Sequence, residues 1–157
     1  MNLIHYMQYI IETDRTIRDI LSYEEDEWTG IKYPAVAYEE APEYFQAPYL
    51  IIRDELSMIT EETHETRRIV RFECIAKKPI DAKRVATRLE QLFTRRNMYP
   101  MAVIALPYGR YPMPSEPKVY GEIVSFQIRL HRQDLQTLED ALPEVYAYFK
   151  IKTERGF

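Results

Sequence analysis

Glycine occurs only at positions 30, 109, 121 and 156, so no glycine-rich loop can wrap a phosphate and nucleotide binding by the usual devices is excluded. One cysteine, Cys74, rules out a disulfide framework within the chain; its place in an alternating apolar run reads as a buried, reduced thiol. The three histidines, His5, His64 and His131, fall in different segments, none at metal-ligand spacing from another His or from the cysteine. No cofactor or metal is expected. No apolar run approaches the roughly 18 residues of a membrane span, and the opening lacks the basic start and apolar core of a signal peptide. The expectation is a soluble, cytosolic product with no membrane partner. Ser22, Ser57, Ser115 and Ser125 stand in no nucleophile-elbow context, so an enzyme is not expected. A small enzyme using His131 and nearby carboxylates would need a concave pocket gathering them.

What is present is organised around Arg67 to Arg96. Val70, Phe72, Cys74 and Ala76 alternate with Arg71 and Glu73, which predicts a strand with one buried face. Lys77, Lys78 and Pro79 end it. Asp81 is then a candidate cap for a helix whose positions Ala82, Val85, Ala86, Leu89, Leu92 and Phe93 keep the 3.6-residue spacing. Neither element can bury its face alone, so the helix must lie on a sheet to which the strand belongs.

The remaining chain supplies partners. Leu3, Met7, Ile10, Ile17 and Leu21, widened by Ile4, Ile11 and Ile20, form one helical stripe, with Glu12, Asp14, Arg15, Arg18 and Asp19 on the outer face; that helix is expected to end near Leu21 to Tyr23. Val36 and Tyr38 suggest a short strand, and Tyr49 to Ile59 a stronger one that forms an antiparallel hairpin with the organising strand. Further strands are expected at Met98 to Leu106 and Val119 to Arg132, the latter with Val124, Phe126, Ile128 and Leu130 inward and Ser125, Gln127 and Arg129 outward. Between them, residues 107 to 118 hold four prolines and read as a projecting loop, with Tyr108, Arg110, Tyr111, Pro112 and Met113 as a candidate docking loop. The tail from Asp134 offers a short helical pattern at Leu135, Leu138 and Leu142, and its end is expected to be exposed or to dock on a neighbour. The sum is an α+β domain spanning 1–157: a mostly antiparallel sheet of four or five strands in the order α-β-β-β-α-β-β, with a short C-terminal helix or extended tail.

A net charge of −4 hides a split. Residues 1–62 carry 14 acidic and 4 basic side chains, a net of −10, whereas residues 63–157 carry 11 acidic and 17 basic, a net of +6. Such charges can cancel within one fold. They can also lie on opposite flanks and favour head-to-tail self-association, with Arg71, Arg84, Arg88, Arg95 and Arg96 meeting Glu24, Glu25, Asp26 and Glu27 of a second copy. The arginines of the helix, flanked by Lys77 and Lys78, also permit a nucleic-acid-binding module, against which stands a sequence pI near 5.5.

The N-terminal amphipathic helix, PYLIIRDE at Pro48 to Glu55, RRIVRFECIAKKPIDAKRVATRLEQLF at Arg67 to Phe93 and GEIVSFQIRLHR at Gly121 to Arg132 together resemble the tail terminator (tail completion) proteins of long-tailed bacteriophages. The chain departs from them in the aromatic, acidic insert around Trp28 to Phe45 and in the longer proline-rich stretch at 107 to 118. The resemblance implies a structural virion protein assembled in the bacterial host cytoplasm. It implies a homo-oligomer, a hexameric ring that caps the tail tube protein, stops tube growth and offers a face to the head-side connector protein. DNA would pass through the lumen without specific binding. Other neck and connector proteins look similar.

Overall fold

A computed structural model describes residues 3–25, 27–60, 65–94, 104–112, 119–131, 144 and 147–150, of which 3, 55–60, 65–67, 104–108, 111 and 129–131 are described by their backbone alone. In chain order the elements are α1 (Leu3–Thr13), α2 (Arg15–Ile20), β1 (Tyr23–Glu25), β2 (Lys32–Pro34), β3 (Val36–Tyr38), β4 (Tyr49–Thr60), β5 (Glu65–Ala76), α3 (Pro79–Phe93), β6 (Ile104–Pro112) and β7 (Tyr120–His131). A short helical turn follows at residues 147–150.

The alternation of Val70, Phe72, Cys74 and Ala76 does produce a buried strand face. β5 is the third strand of a five-stranded sheet ordered β3-β4-β5-β7-β6, flanked antiparallel by β4 and β7; β6 pairs antiparallel with β7, and β3 runs parallel to β4. α3 lays Ala82, Val85, Ala86, Leu89, Leu92 and Phe93 on that face. Phe72 and Phe93 stack at 5.5 Å with planes 6° apart, and Phe126 from β7 meets both edge-on at 5.9 and 5.8 Å. Burying each ring contributes roughly 2–3 kcal/mol, which makes this trio the centre of the core. The α+β architecture, the β4–β5 hairpin and the inward set Val124, Phe126 and Ile128 are as the periodicity predicts.

Several local expectations are corrected. The N-terminal stripe is two helices, because Asp14 adopts an extended conformation and caps α2, its Oδ2 accepting from the Ile17 amide at 3.1 Å. Glu12, placed outside by a continuous helix, is fully buried and accepts from the Tyr148 hydroxyl at 3.0 Å. The turn at 147–150 supplies that hydroxyl and inserts Phe149 into the core, so this part of the tail docks on its own chain. Asp81 does not cap α3: Pro79 at the first helical position starts it, with Lys78 at the cap making no side-chain bond, and Asp81 sits in the first turn where the helix dipole favours a carboxylate. Ser125 keeps the expected face, opposite to Val124 and Phe126, but is buried there, a short side chain registered opposite the longer Arg71. Residues 107–112 are not loop but the second half of β6, bulged between Pro107 and Gly109. Proline is tolerated there because β6 is an edge strand with one unpaired side. A two-stranded ladder, β1 with β2, forms from the acidic insert. Residues 98–103, 113–118 and 132–143, and with them Leu135, Leu138 and Leu142, lie outside the described residues.

Candidate functional site

The cationic half of the expected contact is divided by the fold. Arg88, on α3, holds Asp14 in a fork: its Nε lies 3.2 and 3.1 Å from the two carboxylate oxygens and its Nη2 2.7 Å from Oδ1. Burial pushes the Asp14 carboxyl up, but hydrogen bonds from Arg88 and from the Ile17 amide, with the Arg88 charge, outweigh it and hold the group below the usual carboxylate range. The same hydrogen bond raises Arg88 above the ordinary guanidinium value. Arg71 places Nη2 2.6 Å from Glu73 Oε1, an oxygen that Arg53 Nε also reaches at 3.0 Å. Arg84 stands exposed on α3, together with Lys77, Lys78 and Lys83 at the start of that helix. Arg95 and Arg96 lie outside the described residues.

The acidic half sits on the small ladder and its turn. Glu24 and Glu25 belong to β1, registered opposite Tyr33 and Lys32, and Glu27 is exposed in the turn. Asp26 is outside the described residues. The turn returns through Gly30 at φ +70°, a conformation that glycine adopts without strain. Around these acids the insert exposes large apolar rings, with Trp28 at 85%, Tyr44 at 62% and Tyr38 at 50% of full accessibility. Beside β3, Tyr38 and Tyr44 line a cleft of about 330 Å³ with Tyr33, Phe45, Glu24 and Glu40. His5 on its wall is held below its ordinary value, first by burial and then by the N-terminal charge, and packs edge-on against Phe149 at 5.3 Å.

Of the candidate docking loop, Tyr108, Arg110, Tyr111 and Pro112 fall in β6, and Met113 is outside the described residues. Arg110 reaches back over α3: Nη1 donates to Glu90 Oε1 at 2.9 Å and Thr87 Oγ1 at 3.2 Å, Nη2 to the Lys83 carbonyl at 3.3 Å, and Nε lies 3.6 Å from Glu122 Oε2. It is a clamp between edge strand and helix, a role with no local sequence signal because its partners on the helix lie 20 or more residues away. Pro112 is exposed at the end of β6 and lines a second cleft of about 260 Å³ with Pro79, Lys83 and Glu122.

For chemistry, the site is sparse. Among the described residues no group of three or more His, Cys, Asp or Glu could hold a metal, and the side chain of His131 lies outside the described residues. Burial, reinforced by the charges of Asp81 and Glu122, pushes the Cys74 thiol up to about 12, far from a reactive thiolate. Among the described residues no helix is long and apolar enough to cross a membrane. The surface features that remain are an acidic, aromatic edge and a basic, proline-bearing one.

No protein-family model matches the chain, and no curated protein does. Among solved structures, a chain of the "Virion of native gene transfer agent (GTA) particle" shares the fold, with a TM-score of 0.61 over 82% of this chain and 94% of that one, at 12% identity.

Proposed function

We propose that this chain is a structural component of a phage-like virion, acting as a tail terminator: a homo-oligomeric ring, most simply a hexamer, that caps the tail tube, halts its growth and presents a surface to the head-side connector. The observation that carries the reading is the shared fold with a chain of a gene transfer agent virion across nearly the whole of that chain. The sequence resemblance agrees with it. So does the distribution of surface chemistry, in which Glu24, Glu25 and Glu27 lie on the small ladder and its turn and Lys77, Lys78, Lys83 and Arg84 at the start of α3. Opposite charges at different places on one subunit make a heterologous contact, and heterologous contacts close into rings. Arg71 and Arg88 are engaged within the chain by Glu73 and Asp14, so in this reading they support the contact surface from beneath. DNA passes through the lumen without specific binding.

Incubation with purified tail tubes followed by electron microscopy and mass measurement tests the proposal. Rings seated at tube ends, and tubes that stop elongating, are the expected result; a monomer that leaves tube ends bare and growth unchanged overturns it. Placement elsewhere in the neck would show as rings bound to connectors only. The exposed cations of α3 favour one second reading, a nucleic-acid-binding module, since Lys77, Lys78, Lys83 and Arg84 cluster on adjacent turns. Retention on DNA at low salt, lost in Arg84→Ala and Lys83→Ala, would support it, and passage through a DNA column at low salt ends it.

A further inference from the structure

We infer that the aromatic cleft beside β3 receives the proline-rich segment at residues 112–118 of a second copy of this chain. This rests on the ring reading and goes beyond it by naming the two surfaces that meet. Three independent features of the molecule converge on that pairing.

The cleft has the chemistry of a polyproline groove. Tyr33, Tyr38, Tyr44 and Phe45 line its volume of about 330 Å³, and Tyr38 and Tyr44 are at least half exposed. Flat aromatic rings spaced along a groove accept proline rings at low entropic cost, because a proline-rich strand is already extended. The groove also runs along a sheet edge. The Ala35 carbonyl accepts from Leu50 and the Glu39 amide donates to the Ile52 carbonyl, both at 2.9 Å, so residues 35, 37 and 39 address β4 while the backbone of Val36 and Tyr38 turns outward. There the Tyr38 carbonyl already accepts from the Glu40 amide at 2.8 Å. The edge therefore offers amide donors more than acceptors. A segment such as PMPSEPK, with three prolines in seven residues, brings carbonyls and few amides.

The two surfaces stand at opposite ends of one row. Val36 is registered with Leu50, Leu50 with Cys74, Cys74 with Glu122 and Glu122 with Pro112, a straight line from the cleft across the sheet to the first residue of the segment. The separation is four strand spacings, roughly 19 Å. With the cleft at one edge of the sheet and Pro112 at the other, a contact between the two in different copies is the head-to-tail kind from which rings are built.

Charge points the same way. Lys83 lies beside Pro112 in the second cleft, Lys77 and Lys78 are exposed just before the same helix, and Lys118 closes a segment whose one acid is Glu116. The receiving cleft carries Glu24 and Glu40, with Glu25 and Glu43 exposed alongside.

A photoreactive benzoylphenylalanine at position 44 of the full-length protein, illuminated in rings assembled on tail tubes from an isotopically mixed population, tests the inference by mapping the crosslinks. The expected product joins position 44 to residues 112–118 of a second copy. Crosslinks to a different segment or to another protein, or none in intact rings, overturn it while leaving the ring reading standing; failure to assemble on tubes removes both. Pro114→Ala with Pro117→Ala is expected to lower ring yield at least tenfold with an unchanged circular-dichroism spectrum, and undiminished yield counts against the inference.

Discussion

At the residue scale, Asp14 does two jobs that the sequence shows unequally. A carboxylate at a helix start is a recognisable cap, yet the apolar stripe runs through it without a break, so periodicity alone predicts one helix where there are two. What fixes the break is Arg88, 74 residues away. Asn at this position keeps the capping oxygen and loses the charge. Because the Arg88 side chain is 33% exposed, its share is screened, and Asp14→Asn is expected to cost below about 1 kcal/mol at neutral pH. Asp14→Ala also removes the cap and costs about 1 kcal/mol more. The folded carboxyl lies below its unfolded value, so its contribution is complete above roughly pH 4 and is lost as pH falls through the folded value. Urea titrations from pH 7 downward should therefore show the wild-type and Asn curves converging in acid; a gap independent of pH would show that Asp14 acts through the cap alone. Glu12 teaches a related lesson. Its burial follows from a hydroxyl supplied by Tyr148, and no spacing within α1 announces such a partner.

At the element scale, legibility followed burial on one face. β5, α3, β4 and β7 each carry an apolar period, and each lies close to where that period puts it. β1 and β2 are too short to show one, and β6 hides behind its prolines. Whether a proline-bearing run pairs depends on whether it lies at an edge, a property of the sheet and not of the run. β6 has a second support in Arg110, which ties it to α3 through Glu90 and Thr87. These groups are about one-third exposed, so Arg110→Ala is expected to lower global stability by no more than about 1 kcal/mol. Its local effect should be larger. Hydrogen exchange ought to quicken in Ile104–Pro112 while the β4 and β5 amides stay protected, since an edge strand opens without the centre. Equal quickening in β5 would mean that Arg110 supports the whole sheet.

At the scale of the whole molecule, the charge split is resolved in part by the fold itself. Asp14 with Arg88, and Asp54 with Arg68, each join the acidic first part of the chain to the basic remainder, and in these pairs opposite charges cancel within one subunit. Glu24, Glu25, Glu27, Glu40 and Glu43 on one side and Lys77, Lys78, Lys83 and Arg84 on the other escape that cancellation and stay at the surface. The sequence reveals the imbalance but not which members remain outside, because the internal pairs connect residues far apart in the chain. If the surviving charges meet between copies, self-association should weaken as salt rises and the screening length falls from about 30 Å at 0.01 M to about 8 Å near 0.15 M. Salt alone cannot identify the partners, since any exposed charge responds to it. Reversal can. Lys83→Glu with Arg84→Glu should abolish association measured by sedimentation, and adding Glu24→Lys with Glu25→Lys to the same chain should restore it, because both faces of every contact are then inverted together. These four side chains lie outside the described hydrophobic core, so their reversal is expected to leave the thermal unfolding temperature within a few degrees. Association that survives the first pair, or that is not recovered by the second, would place the contact on other surfaces.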